Sequence, residues 1–139
     1  MKKILFFSVI AFLGSCIIDY YNHKLSIVNK SGKEISVLES NDIEAPNDNY
    51  VAYYMADWVV IKPDSSRTLV MPGNEDAWHD YIQEGHDKKL YLYIFETNTL
   101  KEYKNNSIQE LVRIKKYFKS YTYSESDLDK INWTVIVDK

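Results

Sequence analysis

The chain has 139 residues, with 17 basic against 20 acidic and a net charge of −3 when histidine is neutral, a balance that argues against a nucleic-acid partner. Its length suits one domain with a buried core of its own. The single cysteine rules out an internal disulfide, so stability must come from packing.

Lys2 and Lys3 open the chain and are followed by the apolar run from Ile4 to Phe12 and then by Leu13-Gly14-Ser15-Cys16. The run is too short to span a bilayer, which needs about 20 apolar residues. Residues 1–15 therefore read as a signal peptide, with small Gly14 and Ser15 suited to a narrow peptidase site. Leu13-Gly14-Ser15-Cys16 resembles the lipobox of bacterial lipoproteins. The resemblance implies cleavage before Cys16, a diacylglyceryl thioether on its sulfur and usually an acylated amine. Each buried methylene contributes about 0.8 kcal/mol, so two or three chains anchor firmly without a transmembrane helix. The other reading of Cys16 is an ordinary thiol behind a simple secretory signal. Cleavage shortens the 139-residue chain to 124 and removes Lys2 and Lys3, which leaves 15 basic against 20 acidic residues and a net charge of −5.

Residues 16–22 form a short tether, which keeps the domain of residues 23–139 close to the membrane. Asp19 is the only acidic residue in the tether, which does not support a surface-export signal. The expected location is the cell envelope, on the periplasm-facing side of the outer membrane.

His23–Asn29 and residues 34–38 are β-rich runs around Lys30-Ser31-Gly32-Lys33, which predicts a β-hairpin. Residues 39–49 are polar, contain Pro46 and read as a rim loop. Residues 50–55 are ambiguous. Residues 58–62 and 67–71 flank Pro63-Asp64-Ser65-Ser66 and predict a second hairpin. Pro72 and Gly73 stop that strand, and residues 77–82 fit an extended bridge or one helical turn.

Residues 89–95 form the strongest strand, with Leu90, Leu92 and Ile94 facing one layer and Tyr91, Tyr93 and Phe95 the other. Ser107-Ile108-Gln109-Glu110 matches a capping box and predicts a helix of about ten residues. Ile108, Leu111, Val112, Ile114 and Phe118 would share one side of it. Ser124-Glu125-Ser126-Asp127 predicts a shorter capped turn, and residues 133–137 a closing strand.

This order predicts a mainly β fold, a small antiparallel β-sandwich with one helix in the C-terminal half. The alternative is an α+β domain in which the helix 107–118 covers one sheet face. Ile114-Lys115-Lys116-Tyr117, Tyr123-Ser124, Asp127-Leu128 and Asn132-Trp133-Thr134-Val135, with residues 90–95 and the lipobox, resemble small uncharacterised lipoproteins of Bacteroidota. The resemblance covers about half the chain and bears on origin and architecture. It carries no activity over.

No catalytic pattern stands out. His79-Asp80 and His86-Asp87 lack the spacing of a tight metal motif, and the expectation is no metal and no cofactor. Ser65-Ser66 reads as turn, and Glu75-Asp76 does not make the carboxylate pair of a glycosidase. Twelve tyrosines and three tryptophans are a large aromatic content for this length. Tyrosine packs readily in strands, and it also serves as a rigid contact residue at interfaces. The candidate binding residues are Tyr50, Tyr53, Tyr54, Trp58 and Trp78, with a second group at Tyr117, Tyr121 and Tyr123.

The leading functional expectation is a non-enzymatic, membrane-anchored binding or structural module with a protein or glycan partner. A second is a periplasmic inhibitor or immunity protein against a toxin or lysozyme-like enzyme, which would act through acidic residues 39–49, including Asp42, Glu44 and Asp48, or through residues 74–76. A third is a glycan-binding accessory lipoprotein using an exposed tryptophan.

Overall fold

The computed structural model describes residues 20–45 and 49–139. The signal peptide, Cys16 and Asp19 lie outside them, as do residues 46–48, Asp48 included. Among the described residues no helix is long and apolar enough to cross a membrane.

The fold is mainly β. Strands β1 (Tyr21–Asn29), β3 (Ser66–Pro72) and β6 (Thr134–Val137) form one sheet in the order β3-β1-β6. Strands β2 (Ile35–Ser40), β4 (Leu90–Glu96) and β5 (Lys119–Tyr123) form the other in the order β2-β4-β5. All the pairings are antiparallel except β1 with β6, which is parallel.

Leu25 and Ile27 of β1, Leu69 of β3 and Val135 of β6 meet Ile35 and Val37 of β2 and Leu90, Leu92 and Ile94 of β4 in a shared core. Helix α2 (Ala77–Glu84) adds Trp78 and Ile82 to this layer, and α5 (Glu125–Lys130) adds Leu128. The opposite face of the β2-β4-β5 sheet is covered by α1 (Val51–Tyr54), α3 (Thr97–Glu102) and α4 (Ile108–Arg113). There Val51, Leu100, Ile108 and Leu111 pack on Leu38, Tyr91, Tyr93 and Phe95. The result is sheet, sheet and helices in three layers. β4 lies in the middle with Leu90 to Phe95 all buried, and its two alternating faces divide as the sequence predicts.

Both predicted hairpins are corrected. β1 and β2 lie in different sheets, and β3 pairs with β1 rather than with residues 58–62, of which Ile61 alone makes a bridge, to Ile35. Both turn segments converge on a buried asparagine. Asn29 Nδ2 donates to the carbonyls of Lys33 (2.7 Å) and Ile61 (2.9 Å), and its Oδ1 accepts from the Ser31 N–H (3.0 Å) and hydroxyl (2.7 Å). Its backbone N–H donates to Ser65 and its carbonyl accepts from Asp64, both at 2.9 Å. Both apparent hairpin turns are thus bonded to one residue, and each serves as a crossing between sheets.

The predicted ten-residue helix is also corrected. Ser107 Oγ accepts from the Glu110 N–H (3.2 Å) as expected, but the Glu110 carboxylate accepts from Asn106 Nδ2 (2.9 Å) instead of completing the box. The helix then stops at Arg113. Lys115 turns left-handed (φ 56°), and the N–H groups of Lys115 and Lys116 close on the carbonyls of Val112 and Leu111 in a Schellman termination. α5 ends in the same way around Asn132 (φ 49°). At its start the capping box is complete between Ser124 and Asp127. Lys130 and Ser124 hold the Asp127 carboxyl down at about 2.

Replacing Asn29 by alanine should lower unfolding stability by about 2–3 kcal/mol, because Ser31, Lys33 and Ile61 each lose a hydrogen bond to its buried side chain. Ser124→Ala, which loses one cap, should cost only about 1 kcal/mol. Urea denaturation of both variants checks the order, and an Asn29→Ala loss no larger than that of Ser124→Ala would remove Asn29 from its central role.

Candidate functional site

Tyr53, Tyr54 and Trp58 are brought together by α1 and the turn that follows it. The hydroxyl of buried Ser36 in β2 donates to the Tyr54 carbonyl (2.5 Å), which fixes the end of α1 against the sheet. Tyr53 stands edge-on to Tyr54 (centroids 5.1 Å, 81°) and to Trp58 (5.1 Å, 83°). Tyr54 is buried, whereas Tyr53 is 45% and Trp58 62% exposed.

These rings wall a cleft of about 290 Å³ whose other lining includes Val37 and Glu39 from β2 and Arg67 and Leu69 from β3. The cleft lies between β2 and β3, an outermost strand from each sheet. Along β2, Ile35 and Val37 point into the inter-sheet core, and two residues further the alternation delivers Glu39. Along β3, Leu69 and Met71 pack on that core, and the same alternation delivers Arg67. Each sheet therefore spends one inward position, at the same mouth, on a charge.

Desolvation raises the Glu39 pKa above the ordinary carboxylate range, against its own backbone hydrogen bond and the Arg67 charge, which lower it. The Arg67 guanidinium donates to the Trp58 carbonyl and so holds the turn that carries the indole. Among the described ion pairs none joins Glu39 to Arg67. Burial, with the Glu39 charge next, keeps the Tyr54 hydroxyl protonated far above the ordinary phenol range, while a hydrogen bond with Asn49 works the other way. The same two causes push Tyr81 up to about 12.

The other sequence candidates lie elsewhere. Tyr50 is 70% exposed, bridges to Ser107 through its backbone and does not line the cleft. Trp78 is 1% exposed, packed near Trp133 and Tyr81, and belongs to the core rather than to a surface platform. The second tyrosine group is split between faces. Tyr117 packs with Tyr93 on the helical side, whereas Tyr121 and Tyr123 stack together on the inter-sheet side.

His79 lies on α2 and pairs with Glu125 of α5 (2.7 Å), which raises its pKa. His86 follows that helix in a turn. Among the described residues no cluster of three metal-ligating side chains occurs. Asp42 is used locally, its carboxylate accepting from the Glu44 N–H (2.9 Å). The two charged residues of the cleft, Glu39 and Arg67, are ones that sequence reasoning misses. The alternation Ile35, Val37, Glu39 carries the signal for the first, but residues 39–49 read as loop.

A carboxyl whose folded pKa is raised keeps its proton over a range where the unfolded chain has lost it, so stability falls as pH rises through that window. The cost of the half-buried charge grows as pH rises above the ordinary carboxylate range. Glu39→Gln should therefore raise the thermal midpoint near neutrality and leave it unchanged well below the ordinary carboxylate pKa. Equal midpoints for the two proteins across that pH range would contradict the placement of Glu39.

No family model, curated protein or solved structure matches this chain.

Proposed function

We propose that the chain is a lipid-anchored, non-enzymatic binding module of the bacterial cell envelope, which meets its ligand in the cleft of Tyr53, Tyr54, Trp58, Glu39 and Arg67. The observation that carries the reading is the exposed indole of Trp58, held over a mouth where each sheet presents one charge. Charges at positions that alternation gives to the core cost stability, and such local conflicts concentrate at functional sites. Exposed aromatic rings beside convergent polar groups are the common make-up of a binding cleft.

Binding rather than hydrolysis is favoured by the lining itself. Glu39 is the one carboxylate among the described residues around the cleft. Glycoside hydrolysis generally uses two, one on each side of the scissile bond. An inhibitory acidic loop has weaker support, since Asp42 is folded back onto its own backbone.

The anchor rests on Leu13-Gly14-Ser15-Cys16 and its likeness to a lipobox. Cys16→Ala should move the protein from the membrane to the soluble fraction and abolish labelling by a fatty-acid analogue. Membrane association that persists in this variant counts against the anchor.

For the cleft, immobilised full-length protein should retain envelope material from its source bacterium. Trp58→Ala should weaken that retention at least about tenfold, a loss of about 1.4 kcal/mol. Trp58 is largely exposed, so its truncation leaves both cores intact. Unchanged retention by this variant would place the binding surface elsewhere.

A further inference from the structure

Taking the cleft as the binding site, as proposed above, we infer that its ligand is a saccharide unit, stacked on Trp58 and read through its hydroxyls by Glu39 and Arg67. The two charges are opposite, come from different sheets and form no direct ion pair among the described residues. An anionic ligand would meet Glu39 unfavourably, and a cationic one Arg67. A neutral group that both donates and accepts satisfies both at once. A pair of neighbouring hydroxyls does this, one donating to the Glu39 carboxylate and the other accepting from the Arg67 guanidinium.

The walls add the second requirement. Trp58 and Tyr53 present exposed ring surface beside these charges, which suits a ligand with an apolar face and a polar rim. A pyranose ring has its C–H groups on a face and its hydroxyls around the edge. At about 290 Å³ the cleft is at the small end of ligand pockets, which run from about 300 Å³ upward, so it holds a ring or two of a longer glycan.

An extended peptide is the main competitor, because strand edges invite strand addition. Ile61 already occupies the β2 edge at Ile35, with backbone bonds of 2.7 and 3.1 Å, and Arg67 occupies the Trp58 carbonyl. A strand added to β2 would find its first pairing position taken. A sugar needs only the side chains.

Trp58 is 62% exposed, against 1% for Trp78 and 3% for Trp133, so a change in tryptophan emission on binding reports this cleft. The test uses immobilised full-length protein and envelope material with and without mild periodate oxidation, which cleaves neighbouring hydroxyl pairs. Defined neutral oligosaccharides of hexose and N-acetylhexosamine are then titrated against the emission of the soluble, detergent-held protein. Retention should fall at least about tenfold on periodate treatment and on Trp58→Ala. At least one oligosaccharide should change the emission, with an affinity insensitive to salt and weakened by Glu39→Gln.

Retention that depends on Trp58 but survives periodate would overturn the saccharide and leave the cleft as a binding site. Emission unmoved by every oligosaccharide, with such retention persisting, would overturn the saccharide in the same way. Retention unaffected by Trp58→Ala, or no retention at all, would overturn both readings.

Discussion

The side chain of Asn29 is the contact on which the arrangement of this fold depends. It sits fully buried at the end of the central strand β1, and it bonds to the turn that leaves that strand and to Ile61 of a segment far along the chain. Its backbone groups take up the turn at Asp64 and Ser65. A buried amide with its donors and acceptor met by protein specifies geometry as well as adding stability, since any other crossing would leave polar groups unpaired in the core. The segment it holds then carries Trp58 on one side and leads into β3 on the other. The cleft owes its position to this junction.

How much of the molecule is legible in its sequence follows from how local each cause is. β4 is legible because its two apolar faces are written in alternate residues, and they reach two different cores. The caps at Ser107 and Ser124 are legible because a hydroxyl and the amide three residues later suffice. The two hairpins are misread because Ser31-Gly32 and Pro63-Asp64 have the chemistry of tight turns, while strand pairing is decided by partners far away in sequence. Helix ends are misread for a different reason. With four glycines in the chain, Lys115 and Asn132 take left-handed positions that one would look for at glycine.

The site is half legible. Tyr53, Tyr54 and Trp58 are close in sequence and meet in space, whereas Trp78, equally aromatic, lies on a helix whose inner face faces a core. Exposure is a property of the whole fold, and a residue type cannot reveal it. Glu39 and Arg67 come from strands in different sheets, and only the packing of those sheets makes them neighbours of one cleft. α3 and β5 likewise depend on what they cover, since Thr97-Asn98-Thr99 has the composition of a loop.

The placement of β1 has a mechanical meaning. The described chain enters the fold through the middle strand of its sheet, bonded along one side to β3 and along the other to β6. A pull applied ahead of Tyr21 therefore loads two ladders in shear, in which many hydrogen bonds share the force, instead of peeling an edge strand one bond at a time. Arg67 is paired in register with Ile27 of that same strand. The share of any tension that Arg67 takes from a ligand would cross a single ladder to reach a hold on the N-terminal side, whereas the share taken by Glu39 would enter through the other sheet.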